Sequence, residues 1–289
     1  MSGQDLNIQW FPGHMTRARR MMEENLPQVD ALCEILDARI PAASRNPDID
    51  TLVRDKPRLI VLNRADLADP SLTKQWKRCY EARGFRVIDC DARSGKGCAA
   101  FAPTLRDLMA DRLRHWQEKG LTGRRIRVMV VGIPNVGKST LINRIAGRKA
   151  AAAGDRPGLT RGKQWISVDS GLELLDTPGI LWPKFEDAEA GALLAVTNAV
   201  KAEVVDREAL AAFFIRQLCR MYPDAVRTRY KIEPNPERTG YDLLSEAAGK
   251  RGFLISGGER DLERMANTLL TEYHGGKLGR LTLEKPETA

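Results

Sequence analysis

The sequence has no long apolar run, and it is poor in cysteine and histidine. No uninterrupted apolar stretch approaches the roughly 18 residues that suggest a membrane-spanning helix, and residues 1–7 lack the charged-then-apolar order of a secretion signal. The five cysteines show no paired spacing, which argues against a disulfide framework and against a zinc site. These absences predict a cytoplasmic protein without a membrane span.

Positive charge is what the sequence has in excess. Forty-six Lys and Arg residues face 38 Asp and Glu residues, which gives a net charge of +8. The hydrophobic fraction of 43% and the charged fraction of 29% are typical of a globular protein, and 289 residues suggest about two domains. We therefore expect an acidic partner, with nucleic acid as the first candidate.

A glycine-rich loop at residues 132–140 (GIPNVGKST) follows an apolar run and precedes helical spacing. This pattern predicts a turn whose backbone N–H groups surround phosphates at a helix N-terminus. Lys138 can reach the outer phosphates and Ser139 can bind Mg²⁺. The loop alone does not distinguish ATP from GTP, or a kinase from a hydrolase. The predicted phosphate-binding residues here are Asn135, Val136, Gly137, Lys138, Ser139 and Thr140.

A second phosphate motif follows the predicted strand at 172–175. Asp176 can hold the Mg²⁺ shell, and the N–H of Gly179 can face the terminal phosphate. Thr160, between the two motifs, can add a second hydroxyl ligand to the metal. An Asp-x-x-Gly sequence alone commonly marks a turn, so this assignment depends on the glycine loop that precedes it.

Asn63 and Asp66 follow the short apolar run 58–62, which predicts a buried parallel strand. A carboxylate can accept from both N1–H and the 2-amino group of guanine, whereas adenine offers no such donor pair. The alternative is an Asx turn. Ala92 and Arg93 follow another predicted strand and can complete the pocket, with a backbone N–H near the guanine oxygen. Guanine is therefore the expected base.

The spacing of apolar residues predicts two domains. Strands and helices alternate up to about residue 187, which indicates an α/β domain of three layers over 1–187. Within it we expect one helix over 99–119, and a hairpin of two strands, 163–168 and 172–175, joined by Asp169-Ser170-Gly171. After Pro183 the spacing is helical, so a smaller all-α domain is expected over 188–289, with a loose tail from Gly275. The expected helices there are 190–200, 207–222, 241–248 and 261–273.

The helical part contains basic residues interleaved with aromatic residues at 213, 214, 222 and 230. This composition suits RNA, because guanidinium groups meet phosphates and rings stack on bases. A solvated helix face with the aromatic residues in the core explains it equally well. The candidate RNA-binding residues are Arg216, Arg220, Arg227, Arg229 and Lys231.

The order of these motifs resembles a translation-factor-like P-loop GTPase whose guanine motifs precede its phosphate motifs, which is a circular permutation. Together with residues 10–15 (WFPGHM) and 37–47 (DARIPAASRNP), it is similar to the ribosome biogenesis GTPase A family up to about residue 190. The resemblance implies a circularly permuted, three-layer P-loop GTPase domain. It also implies GTP hydrolysis in late maturation of the large ribosomal subunit, with ribosomal RNA and ribosomal proteins as partners. Away from the ribosome we expect a monomer.

The resemblance also implies roles for individual residues. Ile180 follows Gly179 where many GTPases have the glutamine that orients water, and the family assigns this catalytic role to a histidine, here His14. A capping or packing role for His14 is the alternative. Asn135 matches the position at which similar GTPases bind K⁺. Arg64 departs from the lysine of the family's Asn-Lys-x-Asp motif, but a planar guanidinium can stack on the base.

Two other functions compete with a GTP-hydrolysing assembly factor. One is a nucleotide-gated RNA-binding switch or scaffold with little turnover of its own. The other is an ATPase or kinase, which Asn63 and Asp66 disfavour.

Overall fold

The structure, a computed structural model, describes residues 13–53, 56–147, 164–169, 171–179, 181, 188–200 and 206–286. For residues 13–18 and for Gln164 only the backbone is described. The chain divides into two compact units. Of the described residues, those between 13 and 181 and those at 284–286 form the larger unit, whereas those between 188 and 283 form the smaller one.

The larger unit is built on a six-stranded sheet in the order β3-β2-β1-β4-β6-β5. All neighbouring pairs are parallel except β5 and β6, which form the antiparallel hairpin that the sequence predicts. Alternate residues of a strand point to opposite faces, and all seven residues of β1 are buried, so helices or loops cover both faces. The strands are β1 (Ala31–Asp37), β2 (Arg58–Asn63), β3 (Arg86–Asp89), β4 (Ile126–Gly132), β5 (Gln164–Asp169) and β6 (Leu172–Asp176).

Six helices of the described residues surround this sheet. They are α1 (Gly13–Asn25), α2 (Asp48–Leu52), α3 (Pro70–Ala82), α4 (Phe101–Leu108), α5 (Ala110–Glu118) and α6 (Lys138–Ala146). Met22 and Ile49 pack with Leu32 of β1, while Trp76 packs with Leu36 of the same strand. These contacts form one outer layer, and α4 and α6 also contact the strands. The three-layer α/β prediction is confirmed, but the single helix expected over 99–119 is interrupted at Met109.

The smaller unit is helical in its described part, with one isolated β-bridge between Leu254 and Arg260. Its helices are α7 (Ala188–Val196), α8 (Arg207–Met221), α9 (Pro223–Tyr230), α10 (Gly240–Lys250) and α11 (Leu262–His274). Helix α8 contacts the other four, and these contacts bury its side chains on several sides. The sequence predicts four of these helices and misses α9. No described helix is both long enough and apolar enough to cross a membrane.

The expectation of a loose tail from Gly275 is wrong. Leu278, Leu281 and Leu283 are buried, and the backbone of Thr282 exchanges two hydrogen bonds of 2.9 Å with the hydroxyl of Tyr222. Three spaced leucines give no helical or strand periodicity, which is why the sequence did not predict their burial. The division at 187/188 stays a prediction, and the sequence did not predict that residues 284–286 belong with the larger unit.

Candidate nucleotide site

The carboxyl ends of the parallel strands gather the predicted site residues at one edge of the sheet. Asp37 is paired with Asn63 at the ends of β1 and β2, and Val130 is paired with Asp176 in β4 and β6. Ligands of open α/β sheets bind beyond these strand ends. The loops after β2, β3, β4 and β6 are therefore adjacent, as the permuted order of motifs requires.

The glycine loop joins β4 to α6, which begins at Lys138. Gly137 has a φ of 100°, in the left-handed region that favours glycine. A Cβ atom there would also lie only 2.4 Å from Nδ2 of Asn63. The loop thus ends at a helix N-terminus, where unpaired N–H groups and the helix dipole favour an anion.

The side chain of Lys138 is buried inside this loop. Its ammonium group donates to the carbonyl oxygens of Gly132, at 3.1 Å, and Ile133, at 2.8 Å. Burial lowers the pKa of Lys138 to about 8, and the charge of Asp176 opposes this shift. A polyphosphate beside the ammonium would stabilise its charged form.

Ser139 and Asp176 lie together at the start of α6 and the end of β6. The Ser139 hydroxyl donates to Oδ2 of Asp176 at 3.2 Å, and Asp176 is only 1% exposed. A hydroxyl beside a carboxylate is a donor set that suits Mg²⁺ bound together with phosphates. Thr160, the other predicted metal ligand, lies outside the described residues.

Gly179 brings the segment after β6 against the glycine loop. A Cβ atom at this position would lie 2.6 Å from Cα of Pro134, so a larger residue would push the two backbones apart. Thr140 is half-buried in the first turn of α6. Ile180 lies outside the described residues.

Asn63 connects three of the loops. Its Nδ2 donates to the carbonyl of Val136 at 2.7 Å, and its Oδ1 accepts from the N–H of Ala92 at 3.0 Å. These partners are far away in sequence, so an Asx turn does not explain the side chain. Asp66 is exposed at the same edge, three residues after the end of β2.

Arg64 reaches the glycine loop beside Asn63. Its backbone has a φ of 60°, and its Nη2 donates to the carbonyl of Asn135. Its Nη1 lies 3.5 Å from Oδ2 of Asp37. The side chains of residues 63 and 64 therefore bind the carbonyls of residues 136 and 135.

Asp37 is a buried residue that the sequence analysis quoted only as part of a family motif. Its two carboxylate oxygens accept from Nε and Nη2 of Arg39, at 2.9 and 2.7 Å. Burial would raise the pKa of Asp37, but the charges and hydrogen bonds of Arg39, together with Arg64, hold it below its usual value. A carboxylate at a strand end, two residues before an arginine, is the signal that could have indicated this ion pair.

The loop after β3 is held by contacts on two sides. The Asp91 carboxylate accepts from the N–H groups of Arg93, at 2.8 Å, and Ser94, at 3.1 Å. From α6, Arg144 donates to the carbonyls of Ala92 and Arg93. Sequence reasoning missed Arg144, because a bond to a backbone carbonyl leaves no residue-type pattern.

The catalytic role of His14 stays a prediction. His14 belongs to α1, but its side chain is not among those described.

The predicted RNA-binding residues differ in their surroundings. Arg216 donates to the carbonyl of Pro236, Arg227 pairs with Asp224 and Glu233, and Arg229 pairs with buried Glu272. Arg220 and Lys231 are exposed. Two of the interleaved aromatic residues, Phe214 and Tyr230, belong to the core, which at these two positions favours the alternative of aromatic residues packed in the core over stacking on bases. The five basic residues remain predictions.

Comparisons with known proteins agree with this geometry. A family model described as a 50S ribosome-binding GTPase matches residues 127–232. The chain is 46% identical over 283 residues to ribosome biogenesis GTPase A of Bacillus cereus, which covers 97% of this chain and 94% of that protein. It is 32% identical over 280 residues to the protein of the same name from Thermotoga maritima, covering 97% and 95%.

Two solved structures have the same fold over nearly the whole chain. GDP-bound TM YlqF superposes with a TM-score of 0.68 at 28% identity, covering 92% of this chain and 99% of that one. GNP-bound YlqF from T. maritima gives a TM-score of 0.65 at 29% identity, covering 94% and 100%. The chain therefore belongs to the ribosome biogenesis GTPase A family, and it is a GTPase.

Proposed function

We propose that this GTPase couples GTP hydrolysis to late maturation of the large ribosomal subunit. The observation that carries the proposal is the convergence of Asn63, Lys138 and Asp176 at one edge of the sheet. Asn63 holds the loops of the proposed base pocket, Lys138 lies in the proposed phosphate loop, and Asp176 lies beside the Ser139 hydroxyl, which supports a single nucleotide site at these strand ends. The description of the matching family model, a 50S ribosome-binding GTPase, supports the choice of the large subunit.

The nucleotide is proposed to bind across the loops at this edge. Lys138 and the backbone of residues 135–140 hold the phosphates, and the N–H of Gly179 faces the terminal one. Asp66 accepts from the guanine ring, while Ala92 and Arg93 complete the base pocket. Arg64 covers the base from the position at which its guanidinium donates to the glycine loop.

Two cations are proposed to accompany GTP. Ser139, Asp176 and Thr160 would hold Mg²⁺, and the contact between the first two supports this assignment. Asn135, whose backbone has a φ of 57°, is the proposed K⁺ residue. The cations neutralise charge on the phosphate oxygens during phosphoryl transfer.

His14 is the proposed catalytic residue. It would orient the attacking water, a role for which no glutamine follows Gly179 in the sequence. The phosphate loop thus binds, while the water is controlled from the N-terminal side.

The proposed partners are ribosomal RNA and ribosomal proteins of the precursor particle, which the protein meets in the cytoplasm as a monomer. The net charge of +8 supports a polyanionic partner. Of the predicted RNA-binding residues, Arg220 and Lys231 are exposed, whereas Arg227 and Arg229 already face carboxylates.

The decisive experiment measures GTP turnover of the full chain alone, with large subunits and with small subunits, each in K⁺ and in Na⁺. We expect large subunits to accelerate turnover, more in K⁺ than in Na⁺, and small subunits to have little effect. His14→Ala should abolish the acceleration and retain GTP binding. Tight, GTP-dependent binding of large subunits without any acceleration would instead establish the nucleotide-gated switch.

A further inference from the structure

Arg144 joins the helix that carries the phosphate-binding residues to the loop that faces the base. It lies in the second turn of α6, after Lys138 and Ser139 at the start of the same helix. Its Nε donates to the carbonyl of Ala92 at 3.3 Å, and its Nη2 donates to the carbonyl of Arg93. One planar guanidinium therefore binds two consecutive carbonyls of the loop.

The loop also packs directly on this side chain. A Cβ atom at Gly95 would lie 3.1 Å from Cδ and 3.2 Å from Nε of Arg144. Residues 92–95 are thus fixed by hydrogen bonds at one end and by van der Waals contact at the other. A lysine could not reproduce this arrangement, because it lacks the planar fork.

These contacts close a ring that includes both halves of the nucleotide site. Arg144 binds the carbonyl of Ala92, and the N–H of Ala92 donates to Asn63. Asn63 in turn donates to the carbonyl of Val136, which lies just before α6. Removal of Arg144 would abolish two of the hydrogen bonds that tie the loop to the phosphate half, and it would leave the connection through Asn63 in place.

We propose that Arg144 is a positioning residue for guanine recognition, which fixes the backbone of Ala92 and Arg93 opposite the 6-oxygen of the base. The inference rests on the proposed assignment of Ala92 and Arg93 to the guanine pocket. Arg144 itself touches neither base nor phosphate in this scheme. It acts through the loop that it holds.

The test compares affinities for GTP, 6-thio-GTP and ITP in the wild type, Arg144→Ala and Arg144→Lys. The sulfur of 6-thio-GTP changes the atom that faces the loop, whereas ITP lacks the 2-amino group assigned to Asp66. Arg112→Ala is the matched control, because Arg112 is also exposed and also donates to a carbonyl, that of Asp30 at 2.9 Å, remote from these loops. Urea unfolding of each variant records its stability.

We expect Arg144→Ala to bind GTP about tenfold more weakly, the order of magnitude for lost charge-assisted hydrogen bonds. The preference for GTP over 6-thio-GTP should fall by a similar factor, while the preference over ITP is retained. Arg144→Lys should recover part of the loss, and Arg112→Ala should match the wild type.

Two results would overturn the inference, one at the role of Arg144 and the other at the guanine pocket itself. If both preferences survive in Arg144→Ala, or both fall together, Arg144 does not position the loop opposite the 6-oxygen. If the wild type itself shows no preference among the three nucleotides, the assignment of the guanine pocket fails, and the inference fails with it.

Discussion

Two buried carboxylates, one in each unit of the molecule, are bound by arginines but have different consequences. At the nucleotide edge, Asp37 faces Arg39 and Arg64, and Arg64 continues to the carbonyl of Asn135 in the glycine loop. In the helical unit, Glu272 accepts from Arg229, Tyr230 and Arg251.

The difference lies in what the arginines reach. The Glu272 cluster joins α9, the end of α10 and α11, so its contacts hold helices together. The Asp37 cluster joins a strand end to the glycine loop, where the phosphates are proposed to bind. The buried carboxylate of the helical unit therefore supports the fold alone. The buried carboxylate of the larger unit also reaches the proposed nucleotide site. Loss of the first should change stability alone, whereas loss of the second should change stability and nucleotide affinity together.

Asp37→Asn should have the largest effect. Removing one partner of a buried ion pair costs about 3–5 kcal/mol of unfolding free energy, because the other charge stays buried. Here Arg39, 1% exposed, would be left without its bidentate partner. Nucleotide affinity should fall as well, since Arg64 loses the carboxylate beside it. Urea unfolding and titration with a fluorescent GDP measure the two effects.

A double variant separates the two effects of Asp37. Asp37→Asn with Arg39→Met removes both buried charges, which should recover much of the stability. It should leave the GDP affinity low, because Arg64 still lacks its partner. Full recovery of affinity along with stability would show that Asp37 supports only the fold, and the contrast with Glu272 would disappear.

Glu272→Gln is the second prediction and the matched control for Asp37. The variant keeps the shape of the side chain and weakens three charge-assisted contacts, at an expected cost of about 2–3 kcal/mol for the helical unit. GDP affinity should not change. A loss of nucleotide binding in this variant would contradict the distinction between the two clusters.

Sequence reasoning located those strands and loops of the proposed site that are encoded by residues close together in the chain. The apolar runs of β2 and β4, the glycine loop and Asn63 could be located because strand burial and phosphate binding require particular residue types at short spacing. Lys138 and Asp176 were placed for the same reason. The α/β sheet and its antiparallel hairpin followed from periodicity and turn residues.

The contacts that the sequence did not reveal join distant positions to backbone atoms. Arg64 binds the carbonyl of Asn135, and Arg144 binds that of Ala92. At the other end of the chain, the Glu284 carboxylate accepts from the N–H groups of Ala42, at 2.7 Å, and Ala43, at 2.9 Å. Every residue has a backbone carbonyl, and nearly all have an N–H, so composition gives no indication of the partner.

The smallest effect on the unfolding free energy is expected at Glu34, on the same strand as Asp37. It is 1% exposed, and its nearest cation among the described residues is Nε of Arg45 at 3.6 Å, which is too long for a good hydrogen bond. Burial raises the pKa of Glu34 to about 7, although Arg45 and Arg58 oppose the shift. The folded protein therefore binds more protons than the unfolded chain between the ordinary pKa of 4.5 and 7, so the unfolding free energy falls as pH rises through this window.

Glu34→Gln removes this loss, and urea unfolding should find the variant more stable than the wild type at pH 8 by about 1–2 kcal/mol, with little difference at pH 5. An equal effect at both pH values would mean that Glu34 stays ionised, and it would then resemble Asp37 instead of contrasting with it.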